Sequence, residues 1–279
     1  MALYARVMTS PNDRPRVFRQ LHEHGCFVIP NPWDAGSARL LAQLGFQALA
    51  TTSSGIAWSM GRADNNVPLD VTLERLQVIS AAVEIPVNAD FEGGFATAPE
   101  GVAANVSWAT NTGIAGLSIE DSSGDPSEPL FDFTLAVERI KAAREAIDAS
   151  GSGVFLTARS EGFIVGRPDL DETIRRLTAF GDAGAECLYA PGLRDLADIK
   201  AVVSAVAPKP VNVLVGSDFA TVADLAAAGV RRIGVGGALA RAAWAGFLTA
   251  AKEIADHGTF TSFAKAVPFA EINGSFGSS

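Results

Sequence analysis

Eight short apolar runs of strand length alternate with eight longer segments of helical periodicity, and this alternation limits the possible folds more than any other feature of the chain. The strand candidates are 26–31, 46–51, 85–90, 114–121, 153–160, 186–190, 210–215 and 230–236. The helical ones are 34–45, 70–83, 98–112, 134–149, 169–183, 193–206, 218–228 and 237–254. Strand followed by helix, eight times over, predicts a parallel sheet closed into a (β/α)₈ barrel, read as one domain over 1–279. A doubly wound open sheet is the competitor, but it usually has fewer strands. "NPWDAGSA", after the first strand, is also not the G-x-G-x-x-G of a dinucleotide fold. Asp70, Asp169 and Asp171 supply helix-start signals. A helix over 14–24 is expected before the barrel, and the tail "GSFGSS" reads as frayed.

Charge and cysteine content narrow the function. The acids outnumber Lys plus Arg by 31 to 22, a net charge of −9, with no basic run. A nucleic-acid or anionic-membrane surface is therefore not expected. An acidic protein that takes anionic substrates needs local help from a metal, an arginine or aimed backbone N–H groups. Cys26 and Cys187 each sit in an apolar strand run and read as packing thiols rather than a disulfide or metal pair. "MALYARVMTSPNDRPR" lacks the apolar core of a signal peptide, and no apolar stretch reaches spanning length. The expectation is a soluble cytoplasmic protein.

In a barrel, chemistry gathers at the C-terminal ends of the strands and in the loops that follow. Asp90 ends the third strand with Glu92 just beyond, Glu120 and Asp121 end the fourth, and Arg159 ends the fifth with Glu161 two residues on. Asn212 lies on the seventh strand, and Asp64 sits in the long connection after the second. Hard oxygen donors so arranged suit Mg²⁺, with Asp90 and Glu92 binding directly or through water and Glu120 accepting from the outer shell. Asp90 as a turn or helix cap is the plainer alternative for that residue alone. Arg159 is able to clamp a carboxylate or phosphate in bidentate fashion, or to pair internally with Glu120 or Glu92. "TTSSG" (51–55) is either an anion nest or a polar turn. "GVGG" (234–237) is either a phosphate site or tight strand-to-helix packing. "EDSSGDPSEPLFDF" (120–133) is a candidate lid or an inert surface excursion. The three histidines, His22, His24 and His257, lie outside the expected mouth, which argues against a Ser-His-Asp triad or a zinc site.

These residues together resemble the isocitrate lyase/phosphoenolpyruvate mutase superfamily, through "GFQALATTSSGIAWSMGRAD", "PVNADFEGGFA", "GLSIED" and "LTARSEG". The resemblance implies a barrel that binds Mg²⁺ (or Mn²⁺) and a small 2-oxo or 2-hydroxy acid. It also implies a homotetramer in which the last helix is exchanged between subunits. Asp90 and Glu92 match the family's Asp-x-Asp pattern, with Glu in the second place. Glu120 and Arg159 match its strand-four glutamate and strand-five arginine, and Asp64 its loop aspartate. Thr52, Ser53 and Ser54 fall on its substrate-carboxylate donors, and Asn212 on a polar strand-seven position. One departure stands out: the gating loop here, "SSGDPSEPLFD", has neither the Cys of the lyases nor the Lys and Asn of the phosphonomutases. The family's strand-six Glu or His falls near Pro191, so that role is also vacant. The expected reaction is cleavage of an isocitrate- or 2-methylisocitrate-like acid to glyoxylate or pyruvate and a dicarboxylate. In the absence of the Cys, Ser122, Ser123 or a metal-bound water would return the proton. Phosphonomutase or oxaloacetate-type hydrolase chemistry, or 2-oxo-acid binding without catalysis, are the alternatives.

Overall fold

All eight strand candidates form strands in the computed structural model, which describes residues 13–277. The first twelve residues of the segment read as lacking a signal peptide, and the last two of the tail, lie outside that range. The chain runs α1 (Arg14–Leu21), β1 (Phe27–Ile29), α2 (Ala35–Gln43), β2 (Leu49–Ala50), α3 (Ser53–Ser59), α4 (Leu69–Ala81), β3 (Val87–Asp90), α5 (Pro99–Ala109) and β4 (Gly116–Glu120). It continues through α6 (Phe133–Ser150), β5 (Phe155–Arg159), α7 (Leu170–Asp182), β6 (Cys187–Tyr189), α8 (Leu196–Ala205) and β7 (Val211–Leu214). Last come α9 (Val222–Ala227), β8 (Arg232–Gly234), α10 (Ala238–His257) and α11 (Phe269–Phe276).

Every strand pairing is parallel, in the order β1-β8-β7-β6-β5-β4-β3-β2. The remaining seam is bridged where Ala50 N donates to the Pro30 carbonyl at 3.1 Å, so the sheet closes as a (β/α)₈ barrel. Short polar side chains start the outer helices by taking their unpaired N–H groups. Asp34 and Ser37 form a capping box on α2, Asp169 accepts from Glu172 N on α7, and Asp195 accepts from Ala197 N and Asp198 N on α8. Asp70 differs from expectation: it lies in the first turn of α4, and Pro68 occupies the cap.

The N-terminal end of the barrel is plugged. Phe18 from α1 is fully buried and packs edge-on to Phe155, and His22 stacks on the same ring at 4.3 Å. Arg14 fastens α1 to the adjacent helix through the Ser80 and Val83 carbonyls, at 2.9 and 2.7 Å. Burial holds the His22 imidazole down at about 3, and it faces Arg232. Cys187 is buried, Cys26 half-buried, and both are free thiols, as their packing role requires.

The C-terminal region departs from expectation. Residues 274–276, read as frayed, belong to α11, which packs on α2 with Gln43 Nε2 donating to the Ser275 carbonyl at 2.6 Å. α10 projects from the barrel: Ala240 is its one buried residue, and Trp244, Phe247 and Leu248 are exposed. No helix among the described residues is long and apolar enough to cross a membrane.

Candidate active site

β5 delivers Arg159 to the barrel mouth, where its guanidinium is held by three carboxylates. Nη1 reaches Asp90 Oδ1 at 2.7 Å, Nη2 reaches Glu120 Oε2 at 3.1 Å, and Nε reaches Glu161 Oε1 at 2.8 Å. Tyr189 on β6 lies beside it, 5.3 Å from guanidinium carbon to ring centroid. The internal pairing with Glu120 is thus present, the alternative with Glu92 is not, and Asp90 and Glu161 complete the set. Strand register brings them together: Glu120 is level with Arg159, and Arg159 with Tyr189. Burial alone would lower the Arg159 pKa, but Glu161, Glu120 and Asp90 outweigh it and raise it well above the ordinary value.

One cation does not balance this cluster. Glu120 is pushed well up, first by burial and then by Glu161, Asp90 and Glu92, against the pull of Arg159. Burial, with Asp90 and Asp64 nearby, pushes Glu92 up to about 8. Asp64 is an exposed residue of the 60–68 connection, and its carboxyl is also raised, by desolvation and by Asp90. No three His, Cys, Asp or Glu groups among the described residues converge as a ready-made metal cage. What the site offers is an excess of partly neutralised oxygen donors around one guanidinium.

Residues 51–55 prove to be the start of a helix rather than a simple turn. Thr52 caps α3, accepting from Gly55 N at 3.4 Å, and its hydroxyl meets Ser54 Oγ at 3.0 Å. Ser53 N donates to Asp90 Oδ2 at 3.0 Å, and Thr51 Oγ1 accepts from Asp90 N at 2.9 Å. Asp90 therefore takes one N–H of α3 and one branch of Arg159, combining the cap and the charged-site readings. "GVGG" packs closely and also borders the pocket: a Cβ on Gly237 would lie 2.8 Å from Ser54 Oγ, Val235 N and Gly236 N both donate to Asn31 Oδ1 at 2.9 Å, and Gly234, Gly236 and Gly237 line the site cavity. Thr52, Ser53, Ser54, Asp64, Asp90, Arg159 and Asn212 line one pocket of about 170 Å³. Asn212 sits at its buried end, accepting from Arg232 Nε at 3.0 Å.

The loop after β4 is folded on itself. Ser122 bridges to Leu130, and the Ser123 hydroxyl is occupied, donating to the Glu128 carbonyl and accepting from Asp125 N. Neither serine lines the pocket. Asp121 anchors the loop base: it accepts from Glu161 N at 2.8 Å and from Arg176 Nη1 at 3.2 Å, and that nitrogen also reaches the Phe131 carbonyl. Burial pushes Asp121 up to about 6.

Sequence reasoning assigned no role to Glu161, Asn31, Tyr189 or Arg176. The first three carried a signal, since Glu161 and Asn31 lie two positions beyond a strand end and Tyr189 ends β6. Arg176 lies on an outer helix, where only its place in an otherwise apolar stripe marks it.

The family described as phosphoenolpyruvate phosphomutase matches residues 18–255. A crystal structure from Burkholderia cenocepacia J2315, of a protein classed as a lyase/mutase, superposes with a TM-score of 0.93 at 48% identity, over 96% of this chain and 97% of that one. The 2-methylisocitrate lyase of Escherichia coli K12 is 31% identical over 182 residues, 62% of this chain and 60% of that protein. Oxaloacetate acetylhydrolase, solved with its product oxalate, is 26% identical with a TM-score of 0.85, over 96% of each chain.

Proposed function

The chain belongs to the phosphoenolpyruvate phosphomutase family, within the isocitrate lyase/phosphoenolpyruvate mutase superfamily, and from that premise we propose that it is a Mg²⁺-dependent enzyme that breaks a C–C bond in an isocitrate- or 2-methylisocitrate-like 2-hydroxy acid. The products are a 2-oxo acid, glyoxylate or pyruvate, and a dicarboxylate. The observation that carries this reading is the Arg159 cluster: a guanidinium held by Asp90, Glu120 and Glu161 beside the N–H donors of α3.

The donor set fits a hard divalent cation. Glu92, Glu120 and Asp64 all have raised pKa values, first because burial disfavours their charged forms and then because neighbouring carboxylates repel them, and a second cation would offset both effects. Mg²⁺ typically takes one or two carboxylates and completes its shell with water and substrate oxygens, so a cage of three protein ligands is not required. Asp90 and Glu92 would hold it, with Glu120 accepting from its waters. When bound it polarises the oxygens of a 2-oxo or 2-hydroxy acid as a Lewis acid. Arg159 and the donors of residues 52–54 that Asp90 leaves free would hold the acid's carboxylate, keeping charge in place where it develops. Cleavage removes the 2-hydroxyl proton, converts C–O to C=O as the C–C bond breaks, and leaves an enolate of the second acid that takes up a proton. Ser123 is poorly placed to give that proton, since its hydroxyl is bonded within the loop; Ser122 lies closer to the loop base.

Oxaloacetate hydrolysis is the second reading. It is supported by the loop, which has no Cys between 122 and 132, and by likeness to the acetylhydrolase over nearly the whole chain. A substrate panel separates the readings: incubation with Mg²⁺ and isocitrate, 2-methylisocitrate, oxaloacetate or phosphonopyruvate, followed by proton and phosphorus NMR. The lyase reading expects a 2-oxo acid plus a dicarboxylate from one of the isocitrates. Oxalate plus acetate from oxaloacetate alone replaces it with the hydrolase, and products of C–P chemistry replace it with a mutase or phosphonate hydrolase. No turnover of any substrate, with thermal stabilisation by pyruvate or 2-oxoglutarate, replaces it with a binding protein.

A further inference from the structure

Arg139 on α6 is among the largest fully buried side chains of the protein, and nothing above uses it. Its guanidinium lies 3.7 Å over the Phe131 ring, at the end of the loop that follows β4. Nη2 donates to the Gly93 carbonyl, while Nε and Nη1 have no partner among the described residues. A buried guanidinium with two unmet nitrogens is a poor choice for stability alone, because each unmet donor keeps its desolvation cost.

Gly93 follows Glu92 in a turn of unusual backbone. Glu92 and Phe95 adopt φ of 48° and 57°, a region that side-chain-bearing residues keep only when their surroundings hold them there. Three donors from three elements fix the turn's carbonyls. Glu120 N takes Glu92 O at 3.0 Å, Arg139 takes Gly93 O, and Asn105 Nδ2 on α5 takes Gly94 O at 2.9 Å. Of these side chains, only Arg139 also stacks on the loop after β4. Gly93 permits the contact: a Cβ there would lie 3.3 Å from Arg139 Nη2 and 3.6 Å from the Ser122 carbonyl.

We propose that Arg139 is a positioning residue that ties the turn carrying Glu92 to the loop 121–132, so that ordering one side of the barrel mouth orders the other. The proposal rests on the reading of Glu92 as a metal-side carboxylate, and the wild-type arm of its test separates the two. The measurements, on the full chain, are the Mg²⁺ concentration giving half-maximal thermal stabilisation and the amide hydrogen exchange of residues 122–131 with and without Mg²⁺.

The wild type is expected to be stabilised by Mg²⁺ and to show slower exchange in the loop. Arg139→Met is expected to need about tenfold more Mg²⁺, the scale of losing an outer-shell partner of a metal site, and to lose the Mg²⁺-dependent protection. Arg139→Lys keeps a donor for Gly93 but offers no planar face to Phe131; it should recover the Mg²⁺ midpoint and not the loop protection. Phe131→Leu should behave as Arg139→Lys does, and these two variants carry the test if Arg139→Met does not fold. Lower thermal stability in the variants with both readouts unchanged would make Arg139 a structural residue and overturn the proposal. A wild type indifferent to Mg²⁺ would overturn the metal reading and this proposal with it.

Discussion

At Glu92 a carboxylate stands in a left-handed backbone conformation, among other acids, and its proton is held to about pH 8 in the metal-free protein against 4.5 for a free glutamate. Between those two values the folded chain keeps a proton that the unfolded chain has lost. Stability contributed by the neutral carboxyl is therefore complete below about 4.5 and disappears as pH rises through about 8. Thermal denaturation of metal-free protein should show this decline, and Glu92→Gln should flatten it; an unchanged slope in the variant would remove Glu92 as its cause. Mg²⁺ competes with that proton, so its stabilising effect should grow over the same pH range. Arg159 has the opposite role, as the one guanidinium that three carboxylates share. Arg159→Lys should lower stability in urea by about 1–3 kcal/mol, because a point charge cannot replace three directed charge-assisted bonds. An unchanged midpoint would show that those carboxylates do not depend on the fork.

Among the elements, the strands were readable because each is a short apolar run between longer helical segments, and β3, β4 and β5 end in the charged residues Asp90, Glu120 and Arg159. α3 was not, because "TTSSGIAWSMG" has turn composition, and its helix depends on the Thr52 cap and on burial of Ile56 and Ala57. α11 was missed for a related reason: "FAEINGSF" carries Asn and Gly in its interior, and contact with α2 completes it. The site follows the same division. Residues at strand ends could be read from position, whereas Arg139 and Arg176 reach the mouth from outer helices through packing that no local pattern encodes. Close packing also sets the sharpest demand on a strand. At Gly116 on β4 a Cβ would sit 2.7 Å from Phe18 Cε1, 2.8 Å from Asn88 Oδ1 and 3.0 Å from the Phe155 carbonyl. Gly116→Ala should destabilise the barrel by about 1–3 kcal/mol in chemical denaturation; wild-type stability would mean that α1 yields without cost.

For the whole molecule, α10 is notable for the large apolar side chains that it leaves exposed. Its exposed Trp244 and Leu248 line an open hollow of about 770 Å³ with Trp58 and Ala242, and Phe247 is 59% exposed. We propose that a second copy covers this face, in line with the exchange of the last helix that the sequence led us to expect. Light scattering should give about four times the mass of one chain, and Phe247→Glu with Leu248→Glu should reduce it; a wild-type monomer at micromolar concentration would contradict that. The central claim, however, is that the carboxylates around Arg159 bind the cation on which bond cleavage depends. The most direct measurement is turnover of the best substrate before chelation, after EDTA treatment, and after Mg²⁺ is restored, in wild type and in Asp90→Ala. The account predicts activity that EDTA removes and Mg²⁺ returns in the wild type, and no activity in a folded Asp90→Ala under any of the three conditions. Turnover that survives chelation, or that Asp90→Ala retains, would contradict it.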